Sequence, residues 1–213
     1  MYSNTGILGF DVAQMQLGPA IGITFLVIVI SYCLGMISPA TMIASSKGID
    51  IRKEGSGNPG TTNTLRVMGK KAALVVLLVD VFKGVIAVAA TGILIGHNTE
   101  YVAAVCVFLG HVFPANKKFN GGKGVATAFG ALTAVNPGLG FGCLGIVVFA
   151  VLLTRYVSMG SVAGAIACPV LTWLLVPDFI GEAIFMGLIV LLRHKDNIKR
   201  LANHEESKLS FKK

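Results

Sequence analysis

The apolar residues of this chain form long runs without a charged residue, rather than the alternating or amphipathic patterns of a soluble domain. Residues 12–46 form a run of 35 residues without Asp, Glu, Lys or Arg, residues 124–154 a run of 31, and residues 156–177 a run of 22. A helix that spans a membrane needs about 20 apolar residues. The pattern therefore predicts an all-α, multi-pass integral membrane helix bundle.

Turn signals and charged segments divide the apolar parts of the chain into seven expected spans. Asn136-Pro137-Gly138 interrupts the run 124–154, as is typical of a turn. The third and fourth spans are short, because about 13 helical residues extend only about 20 Å, against a hydrocarbon core of about 30 Å. A five-span bundle with this pair re-entrant is the alternative. The spans are expected at roughly 20–45, 70–95, 101–114, two within 124–154, 157–176 and 179–192.

The basic residues are concentrated in alternate connections between the spans. Of 18 Lys and Arg residues, six lie within 47–71, three within 115–123 and seven from Arg193 onward. Arg155 lies alone in another connection on the same side. The connections near 97–100, 136–138 and 177–182 and the N-terminal segment carry no Lys or Arg, but contain Asp11, Glu100, Asp178 and Glu182. Basic residues mark the cytoplasmic side of a membrane protein. This asymmetry predicts an N-terminus outside and a C-terminus in the cytoplasm, which agrees with seven crossings.

Composition supports this interpretation and limits the function. Hydrophobic residues make up 54% of the 213 residues and charged residues 13%, whereas soluble domains carry about 25% charged residues. The net charge of +8 does not indicate a nucleic-acid partner, because the basic residues lie in membrane-flanking loops. We expect one membrane domain over residues 1–213, with an extracytoplasmic segment at 1–17 and a cytoplasmic basic tail at 201–213.

The first cytoplasmic loop has the composition of an anion-binding turn. It reads IRKEGSGNPGTTNTLRVMGKK, residues 51–71, and contains the spacing GxGxxG. A dinucleotide-binding fingerprint needs a strand before it and a βαβ unit around it, which membrane spans exclude. Glycines expose backbone N–H groups, so the loop can form a nest that binds an anion. The alternative is a flexible polar loop whose basic residues contact lipid headgroups.

The second cytoplasmic loop places glycines around one lysine directly before a helix. It reads GHVFPANKKFNGGKGVATAFG, residues 110–130. It is not a Walker A loop, because Gly122-Lys123 is followed by glycine rather than Ser or Thr. A helix N-terminus presents unpaired N–H groups and partial positive charge, to which Lys123 adds a full charge. The loop therefore predicts a phosphate site at the membrane surface.

Two further polar segments face the same side. Arg155 and Ser158 lie in TRYVSMGS, which alone is typical of an interface anchor. A helical spacing of i, i+1, i+4 and i+7 would place four residues of LLRHKDNIKR on one helix face: Arg193, His194, Asn197 and Arg200. A solvated basic tail is the alternative for this segment.

A charged pair is expected within the second span. Asp80 and Lys83 lie three residues apart in LVDVFKG, and charges inside a bilayer are normally paired. We interpret them as a structural ion pair that faces the bundle, and an ion path is the alternative. His111, near a span end, is expected to pack or to form hydrogen bonds. The four cysteines form no CxxC pair and no metal-ligand cluster is visible, so no metal or cofactor is expected.

The polar motifs resemble, in order and spacing, those of the bacterial acyl-phosphate-dependent glycerol-3-phosphate acyltransferases, the PlsY family. GSGNPGTTN, GHVFP with FNGGKGVAT, RYVS and RHKDNIKR carry the resemblance, and LVDVFKG also fits. The resemblance covers residues from about Gly35 to Arg200, but not the first 17 residues or the tail.

The resemblance implies a multi-pass enzyme of the bacterial cytoplasmic membrane whose active site faces the cytoplasm. It would transfer a fatty acyl group from acyl phosphate to the C1 hydroxyl of glycerol 3-phosphate. The products would be lysophosphatidic acid and phosphate, in the first acylation of phospholipid biosynthesis. Membrane lipid and the upstream enzyme that forms acyl phosphate are the further expected partners.

The resemblance also implies the site residues. Lys123 and Arg66 would hold phosphate, Ser56, Ser158 and Asn197 would orient substrates, and His194 would be a general base or a phosphate ligand. The donor phosphate is the alternative proton acceptor. The phosphate-binding residues are expected to be Ser56, Gly57, Asn58, Arg66, Gly121, Gly122, Lys123 and Gly124, and the catalytic residues His194, Asn197 and Ser158.

A transporter for a phosphorylated solute is the alternative function. Transporters often contain internal repeats and a site at the bilayer midplane. The sequence shows no repeat, and its polar motifs lie at one face, which favours an enzyme. No histidine is followed by Asp five residues later, so the His-x4-Asp pair of the soluble-type acyltransferases is missing.

Overall fold

The computed structural model describes residues 6–8, 12 and 15–209, and these residues form helices, turns and loops without a strand. Asp11 lies outside the described residues, as do residues 210–213 of the expected tail. The ten α-helices in these described ranges are α1 Leu17–Gly35, α2 Pro39–Ser46, α3 Thr61–Met68, α4 Lys70–Leu94, α5 His97–Val112, α6 Val125–Val135, α7 Pro137–Thr154, α8 Val157–Leu175, α9 Ile180–Arg193 and α10 Lys195–Ala202. Short 3-10 turns lie at Ala115–Lys117 and Pro177–Phe179.

Among the described residues, four segments are long and apolar enough to cross a membrane: Leu17–Ser46, Lys70–Leu94, Pro137–Thr154 and Val157–Leu175. Large apolar side chains on these segments face outward: Leu152, Leu153 and Trp173 are 68%, 69% and 67% exposed. Such apolar surfaces need a partner other than water, which agrees with a position in a lipid bilayer. The remaining apolar helices are shorter. The number of seven crossings stays a prediction.

Proline and asparagine set two of the helix boundaries. Pro39 begins α2 after the extended residue Ser38, because proline fits the first helical turn, where its missing N–H is not needed. The expected first span is therefore two helices. The predicted turn at Asn136 is confirmed: its side chain accepts a hydrogen bond from the N–H of Leu139 at 3.1 Å and caps α7.

The chain groups into two compact units, Met1–Val135 and Asn136–Lys213. In the first unit, α4 packs against α5 and α6, and α1 packs against α5. Glycine allows the closest approach: a Cβ added at Gly35 would lie 2.9 Å from the Cα of Gly110, as is common where membrane helices cross. In the second unit α8 packs against α7 and α9. The single domain over residues 1–213 stays a prediction.

The expected ion pair inside the second span is confirmed. The Lys83 Nζ lies 2.8 Å from the Asp80 Oδ1 in α4, and both side chains are almost completely buried. The single helix expected to carry Arg193, His194, Asn197 and Arg200 is interrupted, although Asn197 and Arg200 do lie on one side of α10, where both contact Glu206. His194 interrupts the helix between Arg193, the last residue of α9, and Lys195, the first residue of α10, so the four residues do not share one helix.

Candidate active site

Loop one, residues 51–60, is held by a single buried side chain from α3. The Asn63 side chain accepts a hydrogen bond from the N–H of Ser56 at 2.8 Å. Its amide donates to the carbonyls of Glu54 at 2.9 Å and Ile51 at 3.3 Å. Asn63 is 1% exposed. One amide therefore binds both limbs of the loop and gives it a fixed shape.

The predicted binding residues of loop one lie around this turn. Gly57 has a φ of +70°, and a Cβ there would lie 2.9 Å from the carbonyl oxygen of Arg52, so the turn requires glycine. Ser56 is exposed, whereas Gly57 and Asn58 are half-buried. Arg66 lies in the last turn of α3 and is exposed. The hydroxyl of Ser56 and the guanidinium of Arg66 therefore both lie on the surface of the first unit.

Loop two, residues 115–124, turns back along the end of α5. The N–H of Gly121 donates to the carbonyl of Val112, and the N–H of Gly122 donates to the carbonyl of His111, both at 3.1 Å. A Cβ at Gly122 would overlap the imidazole ring of His111. These two glycines thus allow close packing, and their N–H groups are engaged within the chain.

The open donors near loop two lie at the start of α6. Its first hydrogen bond runs from the N–H of Ala128 to the carbonyl of Gly124 at 2.7 Å. The preceding N–H groups of the first turn have no acceptor within the helix, and the positive end of the helix dipole lies there. Lys123 is half-buried at this end. Gly124, with a φ of +84°, turns the chain into the helix.

Arg52 joins the two loops within the first unit. Its Nη2 donates a hydrogen bond of 2.6 Å to the carbonyl of Asn120, directly before Gly121. A guanidinium carries donors in a rigid plane, so this contact fixes loop one against loop two. The structure thereby places the two predicted anion-binding segments side by side.

In the second unit, two predicted catalytic residues share one carboxylate. Ser158 Oγ donates to Glu206 Oε1 at 2.9 Å, and Asn197 Nδ2 donates to the same oxygen at 2.7 Å. The Arg200 Nε donates to Glu206 Oε2 at 2.7 Å. Ser158 and Asn197 are each 6% exposed. The carboxylate therefore orients both side chains.

The pKa of Glu206 reflects these contacts. Burial alone would raise the pKa of this carboxyl group. The hydrogen bonds from Arg200, Asn197 and Ser158 stabilise the ionised form and hold the pKa below its ordinary value. The group is therefore charged at neutral pH.

His194 lies where α9 meets α10 and is 3% exposed. Its Nδ1 lies 2.8 Å from the carbonyl oxygen of Val190. Because a carbonyl can only accept, Nδ1 donates, and in the neutral ring the lone pair is on Nε2. That arrangement suits a proton acceptor or a ligand that uses Nε2.

Several residues that organise the site were not singled out from the sequence. Asn63 was one of several short polar residues in its loop, and Arg52 one of many basic residues. Glu206 follows another glutamate in a polar tail, and nothing in the local pattern distinguishes it. Asn63 and Arg66 lie three residues apart in α3, and residues at this spacing are neighbours on a helix surface, so helical periodicity does not predict that Asn63 is buried and Arg66 exposed. Within the described ranges no group of His, Cys, Asp and Glu could hold a metal ion.

Known proteins match this chain along nearly its whole length. The family model described as glycerol-3-phosphate acyltransferase matches residues 25–204. The glycerol-3-phosphate acyltransferase of Clostridioides difficile (strain 630) is 43% identical over 197 residues, which is 88% of this chain and 96% of that protein. The one from Shewanella loihica is 40% identical over 193 residues, 90% of this chain and 95% of that protein.

Solved structures show the same fold. The crystal structure of PlsY, an integral membrane glycerol 3-phosphate acyltransferase, in its glycerol 3-phosphate form, matches with a TM-score of 0.85 and 32% identity. The match covers 89% of this chain and 96% of that one. The lysophosphatidic acid form matches with a TM-score of 0.82. This chain therefore belongs to the PlsY family of glycerol-3-phosphate acyltransferases, and it is an integral membrane acyltransferase.

Proposed function

We propose that the acyl donor is an acyl phosphate and that the acceptor is the C1 hydroxyl of glycerol 3-phosphate. The hydroxyl oxygen attacks the acyl carbonyl carbon, a new ester bond forms, and the bond between that carbon and the phosphate oxygen breaks. The hydroxyl proton passes to a base or to the departing phosphate. The products are lysophosphatidic acid and inorganic phosphate, in the first acylation of phospholipid biosynthesis.

The observation that carries this proposal is the pair of glycine-containing basic loops joined by Arg52 and Asn120. Acyl phosphate and glycerol 3-phosphate each bring a phosphate, so the reaction needs two sites for anions. An acyl phosphate is a mixed anhydride that is already activated. The protein then has to supply orientation and charge stabilisation, without a covalent intermediate.

Within the first unit, we assign phosphate binding to the two loops. Lys123 acts from the N-terminal end of α6, where the helix dipole favours an anion. Arg66 contributes a second cation from α3, and Ser56 a hydroxyl. The assigned set contains Ser56, Gly57, Asn58, Arg66, Gly121, Gly122, Lys123 and Gly124, in which the glycines shape the backbone.

Within the second unit, we assign orientation and proton transfer to Ser158, Asn197 and His194. The single hydroxyl proton of Ser158 is donated to Glu206, so this residue meets a substrate as an acceptor. The unprotonated Nε2 of a neutral His194 accepts the proton of the C1 hydroxyl or binds a protonated phosphate. The donor phosphate itself is the second candidate for the base, because it gains basicity as it departs.

The test of the donor uses purified protein in lipid nanodiscs with labelled glycerol 3-phosphate. We expect one lysophosphatidic acid and one phosphate per turnover with a long-chain acyl phosphate, and no product with the matching acyl-CoA. The Lys123→Ala variant controls for contaminating acyltransferases. Comparable turnover with acyl-CoA, without release of phosphate, would refute the proposed donor.

We also propose that the basic loops and the C-terminus face the cytoplasm of a bacterial cell, and that the chain crosses its cytoplasmic membrane seven times. The bias of Lys and Arg toward these loops supports this orientation. The acyl phosphate would then come from an upstream cytoplasmic-side enzyme, a further partner in this proposal.

Cysteine labelling tests the orientation in sealed cells whose protein has the native cysteines replaced by serine. Ser56→Cys and Asn120→Cys should resist an impermeant maleimide until the cells are opened. Asn98→Cys, near the start of α5, should react from outside. External labelling of Ser56→Cys would overturn the orientation without affecting the assignment as an acyltransferase.

A further inference from the structure

A buried polar network lies directly behind loop two. Lys83 Nζ is 2.8 Å from Asp80 Oδ1 and 2.8 Å from His111 Nδ1. The same Nζ donates to the carbonyls of Gly35 at 3.0 Å and Ile37 at 2.8 Å. One ammonium group thus joins α4, α5 and the break that follows α1.

The network fixes the orientation of the His111 ring. An ammonium group carries donors only, so Nδ1 of His111 accepts from Lys83 and the ring proton is on Nε2. The His111 Nδ1 also lies 3.4 Å from Asp80 Oδ1. With the Nδ1 edge held by Lys83 of α4, the opposite edge of the ring points to loop two.

Gly122 is the residue that meets this opposite edge. A Cβ at Gly122 would overlap Nε2 of His111, and the N–H of Gly122 donates to the carbonyl of the same histidine at 3.1 Å. Both the main chain and the side chain of His111 therefore set the position of Gly122. The next residue is Lys123, so the network determines where this lysine leaves the loop.

We propose that Asp80, Lys83 and His111 are positioning residues for acyl transfer, which act by holding the Gly121–Gly124 segment so that Lys123 meets the substrate phosphate. This inference rests on the proposed phosphate-binding role of Lys123. The residues touch the loop and its supporting helices, and they exert their effect on the substrate through Lys123.

Stability alone gives a weak reason for such a network. Replacing a buried ion pair with apolar residues of similar volume is often neutral or stabilising, because desolvation opposes the attraction. A polar network does supply direction, since each hydrogen bond fixes one partner at one distance. The carbonyls of Gly35 and Ile37 fix the ammonium, and the ammonium fixes the ring that contacts the glycine loop.

The central experiment is a double-mutant cycle between Lys83→Met and Lys123→Ala. In the otherwise wild-type protein, we expect Lys83→Met to lower kcat/KM by about tenfold or more, mainly through a higher KM for the phosphate substrates. In the Lys123→Ala background, we expect the same substitution to lower kcat/KM by less than about twofold. A loss of correctly folded protein would lower kcat, leave KM unchanged and reduce activity equally in both backgrounds. Equal losses in the two backgrounds would overturn the inference.

Thr91→Val is the matched control. Thr91 is buried in α4 like Lys83, but within the part of the chain that the structure describes its hydroxyl bonds only to the carbonyl of Ala87 in the same helix, at 2.7 Å. Thr91→Val therefore removes a buried hydrogen bond from α4 that does not involve loop two, and its KM should equal that of the wild type. A tenfold rise in KM for this control would mean that any damage to α4 has the same effect, and the inference would fail.

Gly122→Ala tests the ring contact when Lys83→Met does not insert into the membrane. This variant leaves Asp80, Lys83 and His111 unsubstituted, and the added methyl group must displace either the His111 ring or the loop. We expect KM to rise as in Lys83→Met, by about tenfold; a normal KM would overturn the inference. If Lys123→Ala retains wild-type turnover, Lys123 does not bind the substrate phosphate, and the inference is overturned together with that part of the proposed function. If activity requires Lys123 but Lys83→Met lowers kcat/KM equally with and without Lys123, the inference is overturned and the proposed function stands.

Discussion

The two polar regions of this molecule are built by different means. In the first unit, loops one and two take their shape from backbone turns, glycines and buried amide or ammonium groups such as Asn63 and Lys83. In the second unit, Ser158, Asn197 and Arg200 converge on the carboxylate of Glu206. One region depends on chain geometry and the other on a single negative charge.

The difference teaches where each region is vulnerable. A region shaped by the backbone responds to any substitution that removes a central hydrogen-bonding group. A region assembled around a carboxylate tolerates conservative substitution at its edge but responds to protonation of that carboxylate. Substitutions at three positions test this contrast, beginning with the largest expected effect.

Asn63→Ala should have the largest effect on the first region. It removes three hydrogen bonds in a buried position, each worth about 1 kcal/mol, so we expect a loss of about 3 kcal/mol in the free energy that holds loop one in place. Proteolysis of loop one and the KM for glycerol 3-phosphate should both rise. Asn63→Asp is the matched variant, since it keeps the acceptor for Ser56 and loses the donors. Normal protease resistance in Asn63→Ala would contradict the view that one amide shapes the loop.

Lys123→Ala should leave the fold intact and lower transition-state stabilisation by at least about 2 kcal/mol, as expected for a lost charge-assisted contact. Lys123→Arg should also lose most activity, because a guanidinium does not replace a compact ammonium in a close-packed glycine loop. Circular dichroism and a thermal melt check the fold, and steady-state kinetics check the chemistry. If Lys123→Arg keeps a near-normal kcat/KM, Lys123 is only a charged anchor at the lipid surface.

Glu206→Gln should have the smallest effect at neutral pH, a loss of about 1 kcal/mol in the free energy of unfolding. Glutamine keeps the shape of the glutamate side chain but carries no charge. The folded-state pKa is lowered, so the stabilisation by the carboxylate is present above the unfolded-state value of about 4.3. It is lost as pH falls through the lower folded-state value. The difference in Tm between wild type and variant should therefore shrink on acidification. A difference that does not change with pH would show that the charge of Glu206 has no role.

The sequence was most informative where one strong physical constraint acts alone. Asp80 and Lys83 had to pair, because isolated charges in a membrane are costly, and they do. Asn136-Pro137-Gly138 had to end a helix, and α7 begins at Pro137. Both predictions needed only local information and the membrane as solvent.

The residues that connect segments distant along the chain could not be predicted in this way. Arg52 meets Asn120, and Glu206 meets Ser158 across 48 positions, so each contact depends on how the helices pack. Helix α3 was missed because TTNTLRVM has little apolar character. The sequence indicates only a packing or hydrogen-bonding role for His111, since its contact with Lys83 exists only after α4 and α5 have met.

The network around Asn63 has a consequence for the order of assembly. Its hydrogen bonds join residues only 7, 9 and 12 positions apart, so closing this loop costs the chain little conformational entropy. Contacts that are local in sequence form early, whereas contacts between distant segments wait for the chain between them. Loop one can therefore take its final shape while the later helices are still being synthesised, and the rest of the site is built around it.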